Sequence, residues 1–237
     1  MPLQAVRPQE LRPELLDLDR ISDSSMAANL ADLSSIYRWF GGRAARSDLE
    51  AWLASRKSGS RLWLLDVACG GADGSREILA LARRRGLAAR AVGLDRNPRI
   101  LRWARRQARS SAALDWVCGD AASLPFPDRC FDLVYCSLYL HHLPDPAVAA
   151  QLQELWRVSR GVLVAIDLRR SMLAWWLAAL IGRLSLRNYV TLHDGLVSIR
   201  QSFRGEELRD LAGRAGLSRA RVSGRPWFRL VLWAERG

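Results

Sequence analysis

Short apolar runs alternate with amphipathic stretches through the middle of this 237-residue chain. The alternation begins near Arg61 and continues to Ile166. The apolar runs predict five buried strands, at Leu62–Val67, Ala89–Leu94, Leu114–Cys118, Phe131–Cys136 and Gly161–Ile166. The stretches between them predict helices near residues 75–85, 98–110 and 147–158. Strands that alternate with helices indicate an α/β fold with a parallel, doubly wound sheet.

Both ends of the chain have a different pattern. Residues 9–57 read as helices, one capped by Ser24-Ser25 and ended by Gly41-Gly42, and a second near Ser47–Arg56. After the fifth strand, Met172–Leu186 is almost wholly apolar and predicts a helix. A helix near Gly205–Ala215 and two strands, Leu217–Val222 and Trp227–Ala234, close the chain. We therefore expect an N-terminal helical cap (1–60) and a main domain (61–237) with a helical insert near 169–203.

The chain is strongly basic, with a net charge of +12, yet Lys57 is its only lysine. The densest groups, Arg83–Arg85 and Arg102–Arg109, fall on predicted helices that flank the sheet, where solvated faces explain them. A nucleic-acid partner is therefore not favoured, although it stays open, as does attraction to an anionic membrane surface. We expect a monomer or a homodimer.

Other whole-chain features favour a cytoplasmic protein. Every apolar run is shorter than a bilayer span, and Met1–Glu10 lacks the apolar core of a signal peptide. The cysteines, Cys69, Cys118, Cys130 and Cys136, match no zinc-binding spacing, so we expect them to be reduced. No metal site is predicted.

The predicted strand ends carry the chemistry, because ligands of open α/β sheets bind there. The segment Leu64–Gly74 reads as a strand, a glycine-rich turn and the start of a helix, with Asp66 just before the turn. It lacks the G-x-G-x-x-G spacing of dinucleotide sites, and its carboxylate suits the ammonium of a cationic amino-acid nucleoside instead. Gly70 would let the backbone approach a ligand, and Asp95 could accept both hydroxyls of a ribose.

Leu64–Gly74 resembles motif I of the class I S-adenosylmethionine-dependent methyltransferases. Leu124–Asp128 with Phe131-Asp132, and then Ser137–Leu143, resemble segments of the ubiquinone/menaquinone-biosynthesis type of small-molecule methyltransferase. The resemblance implies a Rossmann-like, seven-stranded sheet with a terminal antiparallel hairpin. It also implies S-adenosylmethionine as cofactor, with S-adenosylhomocysteine as product.

The resemblance assigns a role to several strand-end residues. Asp120 would accept from the adenine amino group, the Ala121 N–H would meet a ring nitrogen, and Arg96 would pack on the adenine face. The predicted cofactor-binding residues are Asp66, Ala68, Gly70, Asp95, Arg96, Asp120, Ala121 and Ser137.

The acceptor is predicted less sharply. The apolar surplus favours a small hydrophobic acceptor, methylated on oxygen or carbon, of the phenolic, polyketide or quinone-like kind found in secondary metabolism. Candidate pocket residues are Trp39, Tyr139, Trp175 and Trp176, and candidate general bases are His141, His142 and His193. An RNA methyltransferase and a non-catalytic S-adenosylmethionine-binding module are the alternatives. Contact of the Met172–Leu186 helix with a membrane surface or a second subunit is also open.

Overall fold

A seven-stranded sheet forms the centre of the protein. The computed structural model describes residues 7, 11–17, 21–41, 44–108, 112–185 and 188–236. The strands are β1 (Arg61–Val67), β2 (Ala88–Asp95), β3 (Leu114–Cys118), β4 (Phe131–Ser137), β5 (Ser159–Leu168), β6 (Arg221–Arg225) and β7 (Arg229–Glu235). They lie in the order β3-β2-β1-β4-β5-β7-β6.

The first five strands are parallel, and the last two form an antiparallel hairpin at the β5 edge. Leu64 pairs with Leu133 across β1 and β4, and Val164 pairs with Trp233 across β5 and β7. The strand order reverses between β1 and β4, which is the place where open α/β sheets bind their ligands. The prediction of a Rossmann-like doubly wound sheet with a terminal antiparallel hairpin is confirmed.

Helices cover both faces of the sheet and one of its ends. They are α1 (Asp23–Ile36), α2 (Arg46–Ala54), α3 (Asp73–Arg84), α4 (Pro98–Gln107), α5 (Asp145–Val158), α6 (Met172–Ser185), α7 (Tyr189–Gln201) and α8 (Gly205–Arg214). The predicted helix ends near residues 110 and 186, and Gly42 in the predicted terminator, lie outside the described residues.

The cap of α1 differs from the predicted Ser24-Ser25 pair. Ser22 is the N-cap: its backbone is extended, and its side-chain oxygen accepts from the Ser25 N–H at 3.1 Å. An N-cap residue must precede the first helical turn, whereas Ser24 and Ser25 already belong to that turn. The helix then widens into a short π-turn over Tyr37–Gly41.

Two apolar layers hold the helices against the sheet. On one face, Leu152 and Leu155 of α5 pack with Leu208 and Leu211 of α8. On the other face, residues of α2, α3 and α4 such as Leu53, Ile78 and Leu101 form a second cluster. Because the central strands are covered on both faces, β4 is buried along almost its whole length.

Helices α1 and α7 and the N-terminal segment pack together. The Asn188 side chain donates to the Ser25 carbonyl at 3.0 Å, and Asn29 donates to Thr191 at 3.2 Å. The backbone N–H of Leu15 donates to Asp194 at 2.8 Å. These bonds join residues more than 150 positions apart, so the beginning of the chain and the insert after β5 form one roof.

Among the described residues, no helix is both long enough and apolar enough to cross a membrane. The four cysteines are free.

Candidate active site

One large cavity lies between the carboxyl ends of the parallel strands and the roof. Its volume is about 1330 Å³, which exceeds the ~300–1,000 Å³ of ordinary small-ligand pockets. The cavity is lined by all eight predicted cofactor-binding residues: Asp66, Ala68, Gly70, Asp95, Arg96, Asp120, Ala121 and Ser137. Four other predicted residues also line it: Trp39, Tyr139, His141 and His142.

Asp66 ends β1 as a buried carboxylate. Its Oδ2 atom accepts from the Ser75 backbone N–H at 3.0 Å and from the Ser75 hydroxyl at 2.6 Å. Burial raises the pKa of Asp66 to about 7, although the bonds from Ser75 oppose the shift. Near neutral pH the carboxyl group is therefore partly protonated, and a cation bound beside it would favour its ionised form.

The glycine turn is fixed by the acid at the end of β2. Asp95 accepts from the Gly70 N–H at 3.0 Å through Oδ2, and from the Asn97 N–H at 2.9 Å through Oδ1. Gly70 has a φ of +51°, a left-handed conformation that favours glycine. A Cβ added at Gly70 would meet no protein atom within 4 Å, so the conformation, not crowding by protein, explains the glycine.

The residues after β3 and β2 form the remaining polar wall. Asp120 accepts from the Ala122 N–H at 2.9 Å, which fixes the turn after β3. The Ala121 carbonyl accepts from the Gln151 side chain at 2.8 Å. Arg96 is exposed at the edge of the cavity. These contacts hold the loop backbone in place, and the loop residues still line the cavity.

A glycine in the first turn of α3 makes room for a buried tyrosine. A Cβ added to Gly74 would lie 2.4 Å from Cε1 of Tyr135, so α3 can pack this closely on β4 only with glycine there. The Tyr135 hydroxyl lies 3.3 Å from that of Tyr37, which itself donates to Glu77 at 3.1 Å. Tyr37 belongs to the π-turn after α1, so the roof reaches the Asp66 end of the cavity.

The histidine pair after β4 has two different environments. His141 is buried, and its Nδ1 lies 2.6 Å from Oδ1 of Asp167, at the end of β5. Burial works against a charged His141, but Asp167 and Glu14 outweigh it and raise the pKa of His141 to about 10. His142 is stacked on His141 with ring centroids 4.3 Å apart and is partly exposed. Asp167 and Glu14 therefore favour the protonated form of His141 in the free protein, which argues against a general-base role there.

Glu14 of the N-terminal segment faces both histidines, and sequence reasoning missed it. Its Oε1 lies 3.5 Å from Nε2 of His141, and its Oε2 lies 3.8 Å from Nε2 of His142. Interaction with His141 lowers the pKa of Glu14, although burial opposes this. Arg7, also missed, donates to the His141 carbonyl at 2.9 Å and pairs with Asp145. No local sequence pattern signals these contacts, because they join residues about 130 positions apart.

Three predicted site residues lie elsewhere. The Nδ1 atom of His193 is 2.9 Å from Asp194, and its ring packs on Tyr189 rather than lining the cavity. Trp175 and Trp176 are in edge-to-face contact with each other, and neither lines the cavity. Helix α6 instead presents smaller residues to the cavity: Leu177, Ala178, Ile181 and Gly182. Residues three or four positions apart lie on the same face of a helix. These four residues therefore share the face that lines the cavity, and the two tryptophans lie off that face.

Comparisons with known proteins agree with this fold. Residues 64–161 match the family described as "Methyltransferase domain". A 2-phytyl-1,4-naphtoquinone methyltransferase of Synechococcus elongatus is 38% identical over 108 residues, or 44% of each chain. A demethylmenaquinone methyltransferase of Staphylococcus carnosus is 34% identical over 115 residues, which are 48% of this chain and 45% of that protein. The alignments therefore span less than half the length of these curated relatives.

Solved structures show the same fold over most of the chain. Human N-acetylserotonin methyltransferase, solved with S-adenosylmethionine, has a TM-score of 0.65 at 16% identity, covering 91% of this chain and 57% of that one. An S-adenosylmethionine-dependent methyltransferase from Aquifex aeolicus has a TM-score of 0.60 at 15% identity, covering 91% and 99%. Residues 64–161 therefore form a methyltransferase domain on a Rossmann-like sheet, and this part of the chain is similar to quinone methyltransferases of the ubiquinone/menaquinone-biosynthesis kind.

Proposed function

We propose that this protein transfers the methyl group of S-adenosylmethionine to a small apolar acceptor, on oxygen or carbon. The observation that carries the proposal is the continuous cavity of about 1330 Å³, which joins the acids at the strand ends to an apolar wall from the roof. That volume has room for a nucleoside cofactor and a second molecule together. Enclosing both would hold the acceptor in line with the methyl group and keep water away.

The cofactor end of the cavity would use the strand-end acids. Asp66 would attract the ammonium of the methionine part, Asp95 would accept the ribose hydroxyls, and Asp120 with Ala121 would meet the adenine. Bound there, the sulfonium supplies an already activated methyl group. The protein's contribution is then mainly orientation, which is worth roughly 7–11 kcal/mol of barrier in well-aligned reactions.

The acceptor end would lie between the histidine pair and α6. Tyr139 and Leu143 line the cavity, as do Leu177 and Ile181 of α6. The Tyr139 hydroxyl donates to Gln151 at 3.0 Å, so the ring lines the cavity while its polar end is already bonded. If the acceptor is a hydroxyl group, its proton would pass to solvent water at the opening of the cavity.

The named relatives support a quinone-like acceptor. One is named for a phytyl naphthoquinone and the other for demethylmenaquinone, and a phytyl group is a long apolar chain. An apolar-walled cavity suits such an acceptor better than it suits a polar one.

The exposed face of α6 suggests where an apolar acceptor would enter. Leu173, Trp176 and Leu180 are 58%, 61% and 59% exposed on one face of this helix. Trp39 and Trp227 are also highly exposed, and both line the cavity, so its mouth has an aromatic rim. Tryptophans are typical of the bilayer interface, and the net charge of +12 suits anionic lipid. We propose that this face rests on a lipid surface, because a second subunit seated there would cover the mouth.

RNA is a weaker candidate acceptor. Several arginines are already paired with acids: Arg99 with Asp23, Arg157 with Asp128 and Glu154, Arg160 with Asp132, and Arg225 with Asp48. A phosphate backbone would have to compete with these pairs. Binding of this protein to RNA with an affinity that falls steeply as the salt concentration rises would favour this alternative.

The proposal is tested with cofactor and acceptor separately. Calorimetry should show S-adenosylmethionine binding that Asp95→Asn weakens at least tenfold, whereas the control Asp115→Asn, an exposed acid on β3 paired with Arg90, leaves it unchanged. Mass spectrometry should then detect S-adenosylhomocysteine when a reduced naphthoquinone lacking the ring methyl is added. No measurable cofactor affinity would refute the enzyme. Cofactor binding without turnover across a panel of phenols and quinols would favour the non-catalytic module.

A further inference from the structure

We propose that Glu14, His141 and His142 form a binding site for a divalent transition metal of the zinc type at the acceptor end of the cavity. Their ligand atoms, one carboxylate oxygen and two imidazole nitrogens, all lie within 4.8 Å of one another. All three residues line the cavity. The sequence predicted no metal site, because Glu14 lies far along the chain from the histidine pair.

The distances in the cluster fit a shared cation better than direct hydrogen bonds. The two Glu14–histidine separations are 3.5 and 3.8 Å, longer than the ~2.7–3.2 Å of a normal hydrogen bond. Two ligands that are each about 2.1 Å from one tetrahedral zinc ion lie about 3.4 Å apart. Small side-chain adjustments would therefore bring both histidine nitrogens and one Glu14 oxygen onto a single ion.

The two buried members of the cluster, His141 and Glu14, are each oriented by a partner outside it. The Asp167 carboxylate holds Nδ1 of His141 at 2.6 Å and also accepts the His141 backbone N–H at 3.1 Å, which leaves Nε2 as the ligand atom. A metal ion that binds Nε2 would displace the proton from this nitrogen into solvent. The Ser198 hydroxyl donates to Oε1 of Glu14. Carboxylates that bind the second nitrogen of a histidine, and donors that fix a ligating carboxylate, are the usual supporting contacts of metal sites.

The chemistry of the cluster specifies the class of metal and its use. Two imidazoles and one carboxylate are the ligand set of catalytic zinc sites, which leave one coordination position open. Here the open position would face the cavity. A bound ion would hold an acceptor oxygen and lower the pKa of its hydroxyl, so that the hydroxyl proton passes to solvent water and the oxygen is left free to accept the methyl group. This use rests on the proposed methyl transfer, whereas metal binding itself does not.

Zinc binding by the chelator-treated 237-residue chain tests the site. Calorimetry and metal analysis should give one Zn²⁺ per chain with micromolar or tighter affinity. His142→Ala and Glu14→Gln should each weaken it at least tenfold. The matched control is His193→Ala, which removes the histidine outside the cavity and should leave affinity unchanged. Co²⁺ should give the visible absorption of a tetrahedral site in the wild type and lose it in His142→Ala.

Two outcomes would overturn the site: no stoichiometric Zn²⁺ binding by the wild type, or equal affinity in the wild type and both cluster variants. Parallel titrations with S-adenosylmethionine separate this inference from the proposed function. A variant that still binds the cofactor is folded, so its loss of zinc affinity is specific. Zinc binding in a protein that lacks cofactor affinity would preserve the site while refuting the methyltransferase activity.

Discussion

Asp66 accepts both the backbone N–H and the hydroxyl of Ser75 on one oxygen, at 3.0 and 2.6 Å. This contact ties the end of β1 to the first turn of α3, with the glycine turn between them. The carboxyl group is 2% exposed, and burial raises its pKa to about 7. The residue that would bind a cationic cofactor is therefore half protonated near neutral pH in the free protein.

Cofactor affinity should depend on pH through Asp66. An ammonium group favours the ionised carboxylate, so binding below pH 7 requires loss of a proton, and affinity falls as the pH is lowered. With a pKa of about 7, the ionised fraction falls about fivefold from pH 7 to pH 6. Calorimetry should show a matching decrease in S-adenosylmethionine affinity. Asp66→Asn should bind weakly at both pH values with a flat profile, and an unchanged slope in this variant would assign the titration to another group.

The same group should limit the stability of the free protein at alkaline pH. The folded pKa lies above the ordinary value of 3.8, so this contribution is present below pH 4 and is lost as the pH rises through 7. Asp66→Asn keeps an acceptor for Ser75 but cannot ionise. We expect it to raise the free energy of unfolding by about 1–3 kcal/mol at pH 8 and to have little effect near pH 4. Urea unfolding without cofactor measures both, and a loss of stability at pH 8 would contradict the assignment.

Gly74→Ala should disrupt the packing of α3 on β4. The new Cβ would lie 2.4 Å from the Tyr135 ring, and Tyr135 is fully buried, so the strand or the helix must move. Overpacking of this kind costs about 1–3 kcal/mol. Gly213→Ala in α8 is the matched control, because its Cβ meets no atom within 4 Å and alanine favours a helix. Thermal unfolding should give Gly74→Ala a lower melting temperature than Gly213→Ala. Equal melting temperatures would mean that the Tyr135 contact is not tight.

The strand-end acids could be predicted from the sequence because their positions follow from local pattern. Asp66, Asp95 and Asp120 each end a short apolar run, and parallel strands bring such ends to one edge. The doubly wound parallel sheet followed from the same alternation, and its seven strands and terminal antiparallel hairpin followed from the family resemblance. The bounds of β6 and β7 were predicted less exactly. The observed strands begin at Arg221 and Arg229, later than the predicted ones.

The acceptor side could not be predicted in the same way. Glu14 reaches the histidine pair only because Asp194 binds the N–H groups of Leu15 and Leu16 and holds the N-terminal segment against α7. Such contacts depend on how distant segments pack, which no periodicity encodes. The apolar α6 was predicted as a helix, but its composition does not show which face lines the cavity. Trp175 and Trp176 were chosen for their residue type, whereas Leu177 and Ile181 occupy the lining positions.

The outward face of α6 should bind anionic vesicles. Burying Leu173, Trp176 and Leu180 in the lipid interface would remove apolar surface from water, and each such side chain contributes about 1.5–3 kcal/mol when fully buried. Trp176→Glu should reduce co-sedimentation with phosphatidylglycerol vesicles at least fivefold, because it adds a charge repelled by the lipid and removes an interfacial anchor. Ala80→Glu, an exposed position on α3 with the same change in charge, is the control and should retain binding. Equal loss in both variants would indicate that net charge alone attracts the protein. A wild type that stays in the supernatant but forms a dimer dissociated by Trp176→Glu would show that a second subunit covers this face.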